Sequence, residues 1–99
     1  MGIINIEIRC NANQNVVDSM LNNLCSNHLI AGATHMELKT CEWVGGQLTN
    51  KTVIIVNGIT NLELVDKITE LLPEDCLVTS IIENKIYGSK FEEWFNMHL

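Results

Sequence analysis

The segment HMELKTCEWVGGQLTNKTVIIVN, residues 35–57, decides how this chain folds. Up to the glycine pair, His35, Glu37, Lys39, Cys41 and Trp43 alternate with Met36, Leu38 and Thr40, the period of a strand. Residues 33 to 44 read as this strand. Gly45-Gly46 then supplies the positive φ angles of a two-residue turn. Beyond it, Val53-Ile54-Ile55-Val56 is a continuous β-branched run, expected of a strand covered on both faces and running to Asn57. Two long strands around a tight turn make a hairpin.

Working outward, Ile4, Ile6, Ile8 and Cys10 alternate with Asn5, Glu7 and Arg9 as a first strand. The asparagines from Asn11 to Asn15 break that pattern and offer helix caps. Val16, Val17, Met20, Leu21, Leu24 and His28 follow at helical period, with Cys25 and His28 toward the buried face, until Gly32 closes the connection. Downstream, Thr60 and Glu63 have the spacing of a capping box, and Ile59 and Leu64 that of a hydrophobic staple. Leu64, Val65, Ile68, Leu71 and Leu72 form the stripe of a second helix, which Pro73 stops. Cys76 to Glu83 is a fourth strand. Ser89 and Glu92 repeat the box spacing ahead of a short last helix presenting Phe91, Trp94, Phe95 and His98.

The order β-α-β-β-α-β plus a terminal helix is α+β, a ferredoxin-like antiparallel sheet in one domain, residues 1–99. Right-handed crossovers put both long helices on one face. The other face is left uncovered in a monomer, so an oligomer is expected to cover it.

Composition removes several functions. In 99 residues, 46% are hydrophobic and 18% charged, which excludes a disordered chain. The net charge is −6, and the six bases are scattered singly from Arg9 to Lys90, so no stripe would hold nucleic acid. Met1 to Glu7 lacks the basic start of a signal peptide and alternates rather than spanning a membrane. A cytoplasmic protein is expected, with Cys10, Cys25, Cys41 and Cys76 as reduced thiols. Their spacing contains no CxxC, so neither a zinc knuckle nor a redox dithiol is indicated.

The fold alone decides no function. The third strand lacks the aromatics that stack bases. Cys10-Asn11-Ala12-Asn13 has one thiol where a soft-metal clamp in the first loop needs two. Arg9 and the neighbouring asparagines suggest an acylphosphatase-like hydrolase, without the glycine framework of its phosphate loop. His35, Glu37 and Cys41 put an imidazole, a carboxylate and a thiol on one strand face, all able to bind a transition metal such as copper or zinc. One strand spreads them too far for a closed tetrahedral site, so at most weak binding is expected. Their other reading is structural, with His35 and Cys41 in an oligomer interface and Glu37 paired with Lys39 or a neighbour. Phe91, Trp94 and Phe95 read as the face that docks the last helix.

Several segments resemble the CutA family, small trimeric ferredoxin-like proteins associated with tolerance of divalent cations. Trp43-Val44-Gly45-Gly46 is similar to the family's Trp-Glu-Gly-Lys turn, and Thr52 to Val56 to its apolar third strand. Leu72-Pro73-Glu74-Asp75 stands where the family has His-Pro-Tyr-Glu. Gly88 to Phe95 is similar to its closing segment, in which a tryptophan follows a glycine and an aromatic. The resemblance runs from about residue 3 to 95. It implies a non-enzymatic homotrimer linked to the response to divalent metal ions, with no nucleic-acid or membrane partner. The family's cysteine after the first helix is replaced within Ile30-Ala31-Gly32-Ala33, and its histidine and tyrosine before the fourth strand are Leu72 and Glu74. The resemblance therefore carries fold and trimer further than cation binding. A PII-like regulatory trimer with a metabolite at its subunit clefts is the alternative, although the tight Gly45-Gly46 turn leaves no long signalling loop.

Overall fold

The computed structural model describes residues 2–83 and 88–99. Strand β1 (Ile3–Cys10) leads to helix α1 (Gln14–Ser26), and the hairpin consists of β2 (Gly32–Val44) and β3 (Gln47–Asn61). A 3-10 turn at Leu62–Leu64 opens α2 (Val65–Leu71), followed by β4 (Cys76–Glu83) and α3 (Ser89–His98). The sheet order is β2-β3-β1-β4, every pair antiparallel. This is the ferredoxin-like arrangement expected from the sequence.

Alternation in β1 sets the core. Ile4, Ile6, Ile8 and Cys10 pair with Thr60, Gly58, Val56 and Ile54 of β3, so all eight lie on one face of the sheet. On that face they meet Val17, Met20 and Leu24 from α1 and Ile68 from α2 in one buried cluster. Gly45 and Gly46, at φ +58° and +79°, make the expected tight turn. Between β1 and β4 the register slips, leaving Thr79 unpaired as a bulge whose hydroxyl donates to Glu7 Oε1 at 2.8 Å. The slip turns Ile82 to the face of Asn5 and Ile81 to the face of Ile6.

Four local expectations are corrected. First, β3 runs to Asn61, so Thr60 belongs to the ladder opposite Ile4 and caps nothing. Fully buried there, its hydroxyl donates to the Leu29 carbonyl at 2.5 Å. Asn61 takes over the capping, its side-chain oxygen accepting from the Glu63 N–H at 3.0 Å. Second, α3 is capped by Gly88 at φ +88°, and Ser89 is already helical, so the second box does not form either. Third, Cys25 lies on the exposed side of α1.

Fourth, His28 has left the helix. It sits at φ +57°, its N–H bonds the Cys25 carbonyl, and the next N–H, of Leu29, bonds the Leu24 carbonyl. That pair of bonds is a Schellman closure, accompanied by burial of both Leu24 and Leu29. Histidine occupies the left-handed position where glycine is usual, and its Nδ1 lies 3.1 Å from the His98 carbonyl at the end of α3. Phe95 anchors α3 as a buried side chain, while Trp94 lies 5.8 Å from the Phe91 ring and 5.6 Å from that of His98.

The Thr60 hydroxyl gives a test of the β3–loop contact. Thr60→Val keeps shape and strand preference but strips the Leu29 carbonyl of its partner, which costs about 1–3 kcal/mol. The expected readout is a lower urea midpoint with an unchanged slope at fixed protein concentration.

Candidate functional site

Pairing places Ala33, His35, Glu37, Lys39, Cys41 and Trp43 of β2 on the helix side of the sheet, as the alternation required. His35 lies opposite Val56, Glu37 opposite Ile54 and Cys41 opposite Asn50. All three candidate ligands are exposed. His35 and Cys41 are six residues apart, about 20 Å along a strand, so the chain alone does not draw them together. Among the described residues, no group of three or more His, Cys, Asp or Glu side chains could hold a metal ion. His35 instead meets α1: its Nδ1 lies 3.3 Å from Gln14 Nε2, which donates to Asp18 Oδ1 at 2.8 Å. Glu37 forms no ion pair with Lys39 among the described residues of this chain.

The opposite face carries the more telling arrangement. Met36, Leu38, Ile55, Ile59, Leu77 and Ile82 share it with Asn5, Glu7 and Arg9. Met36 is 58% exposed and Leu38 43%, while Trp43 at the hairpin tip reaches 74%. Trp94 lines a cleft with Asn5, Gly32, Thr34, Asn57 and Ile59, so α3 reaches one corner of this face. Leu77 and Ile82 are likewise exposed, so this face leaves more apolar surface in solvent than an isolated chain needs.

One ion cluster shapes the hairpin. Arg9 of β1 bonds Glu42 of β2, which also contacts Lys51 Nζ of β3 at 3.3 Å. Arg9 stands opposite Ile55 and Glu42 opposite Thr49, a separation of about 20 Å in a flat sheet. Their contact therefore requires the hairpin arm to coil strongly toward the open face. Val53, on that face, is accordingly buried although its partner Leu38 is exposed. The hydrogen bond from Arg9, aided by Lys51, holds the Glu42 carboxyl below its ordinary value of 4.5. The sequence pattern gave no sign of this cluster, because its members lie on three strands.

No protein-family model matches the chain, and no curated protein matches it in sequence. What the geometry defines is a class: a ferredoxin-like α+β sheet extended by a long coiled hairpin and closed by a C-terminal helix. Solved structures of CutA proteins have this form. CutA1 from Oryza sativa superimposes with a TM-score of 0.86 at 16% identity, over 99% of this chain and 94% of that one. The divalent ion tolerance protein CutA1 from Ehrlichia chaffeensis gives 0.81 at 22% identity, over 97% and 94%. The periplasmic divalent cation tolerance protein CutA from Archaeoglobus fulgidus gives 0.83 at 14% identity, over 97% of each. The chain has the CutA fold. Among the described residues, no helix is long and apolar enough to cross a membrane.

Glu42 gives this region a pH signature. A carboxyl whose folded value is depressed stabilises the fold above its unfolded value and loses that contribution as pH falls through the folded one. Glu42→Gln is therefore expected to melt lower than wild type at pH 7, with the gap closing below about pH 4. Thermal melts of both proteins at pH 7 and pH 3 check this, and a gap of equal size at both would refute the assignment.

Proposed function

We propose that this chain is a divergent CutA-like protein: a non-enzymatic, cytoplasmic homotrimer that takes part in the tolerance of, or response to, divalent metal ions. The observation that carries the reading is the whole-chain likeness, hairpin arm and terminal helix included, to proteins named for divalent ion tolerance. The cytoplasm remains the proposed compartment, although the Archaeoglobus protein is named as periplasmic.

Trimerisation supplies the missing cover. Met36 and Leu38 on the open face, and Trp43 on the arm, are the side chains neighbouring copies would bury. Burial of such apolar area drives association at about 25 cal/mol per Å² before the costs of ordering. Light scattering at micromolar concentration is expected to give three times the 11.1 kDa subunit mass. Met36→Lys, which puts a charge into the proposed interface, is expected to shift that mass toward one subunit. A wild-type mass of 11.1 kDa sinks the trimer.

Three-fold symmetry also bears on His35, Glu37 and Cys41. A residue near the axis recurs three times, so copies of His35 could share an ion that one chain cannot hold, and stacked Glu37 carboxylates would favour a cation by relieving their repulsion. The proposal keeps these side chains chiefly structural and any metal weakly held. Copper and zinc titrations are expected to show affinity weaker than about 1 μM, little changed by His35→Ala. The variant trimer should be the less stable one. Submicromolar binding abolished by the substitution reverses the assignment.

A further inference from the structure

Two of the four thiols are neighbours. Cys10, near the end of the central strand β1, stands directly opposite Cys76, the first residue of the edge strand β4. They are 0% and 5% exposed, and both belong to the core cluster on the helix side of the sheet. Cys25 and Cys41 are exposed, and all four are free thiols.

The hydrogen-bond phase of the ladder decides what the pair can do. Asn11 N–H bonds the carbonyl of Asp75, the pairing next to Cys10 and Cys76 in the same register, at 2.9 Å. Bonded and non-bonded pairs alternate along an antiparallel ladder, so Cys10 and Cys76 are a non-hydrogen-bonded pair. The Cys76 N–H agrees: it turns away from β1 to the Pro73 carbonyl at 3.0 Å. Non-bonded pairs bring their Cα atoms to about 4.5 Å with side chains at their closest. Disulfides span Cα separations of roughly 4.4–6.8 Å.

We infer that Cys10 and Cys76 are a modification site, a dithiol that closes to an intrachain disulfide when a small-molecule disulfide such as oxidised glutathione acts on it. This stands apart from the proposed metal function and needs no metal. The Cys76 thiolate, on the edge strand, attacks one sulfur of the oxidant and expels the first glutathione thiolate. Cys10 then loses its proton and attacks Cys76 Sγ in the mixed disulfide, expelling the second. Two protein S–H bonds and one S–S bond are exchanged for one protein S–S bond and two molecules of reduced glutathione.

In the closed fold this exchange is slow. Burial first, and the Cys76 thiol beside it second, push the Cys10 thiol up to about 12, so it is protonated at neutral pH. Reaction depends on β4 lifting from β1, and the pair persists as thiols wherever the surroundings are reducing. Once formed, the bond would tie the edge strand to the central one and close the chain from residue 10 to residue 76.

The test uses Cys25→Ser/Cys41→Ser, which leaves only this pair. The protein is incubated with oxidised glutathione and a chelator, in urea below the unfolding transition so that β4 can open. Expected are a fall from two titratable thiols to none, a mass lower by two hydrogens, and a Tm raised by about 10 °C or more that reductant reverses. Cys10→Ser in the same background should show neither closure nor the Tm rise. Persistence of both thiols, a retained glutathione adduct, linkage between chains on a non-reducing gel, or a lower Tm on closure would each overturn the inference.

Discussion

Strand β1 is paired on both edges, with β3 on one side and β4 on the other, and its phase settles which half of the sheet is dry. Ile4, Ile6, Ile8 and Cys10 face the helices with essentially no exposure, so a one-residue slip would put four apolar side chains in water and Asn5, Glu7 and Arg9 in the core. Register then passes from β1 to β3 and through the Gly45-Gly46 turn to β2. The side on which His35 emerges, the meeting of Cys10 with Cys76, and the exposure of Met36 all follow from it. The Thr79 bulge interrupts that propagation, and it re-aims Ile81 and Ile82 where β4 runs along the edge.

Elements specified by local pattern were legible in the sequence. Alternation located β1 and β2, the glycine pair located the turn, and Pro73 forced Leu72 to extended geometry, ending α2. Features set by competition between neighbours were not. Thr60 had the spacing of a cap, but the β-branched run that precedes it kept it in the ladder, where the Leu29 carbonyl was within reach. Closure of α1 at His28 carried no glycine to announce it.

The candidate site divides along the same line. Period 2 correctly set His35, Glu37 and Cys41 on one face, yet the same rise per residue that creates the face keeps the ends of the set apart. Contacts between strands distant in sequence were invisible from spacing. Arg9, Glu42 and Lys51 meet only because the arm coils, and the sixty-five positions between Cys10 and Cys76 hold no motif. The fold superimposes nearly end to end on CutA structures at 14–16% identity, so architecture is shared where most side chains differ.

The outer edge of β2 has a consequence for the newly made chain. Thirteen residues of that strand lie at the border of the sheet, their outward backbone groups able to template another strand. Glu37, Lys39 and Glu42 place charge along this border, a familiar brake on edge-to-edge aggregation, but Met36, Leu38 and Trp43 interrupt it with sticky apolar surface. If copies assemble as proposed, a solitary one is a transient hazard whose lifetime is set by mass action: scarcity prolongs it, and abundance shortens it through capture by correct neighbours.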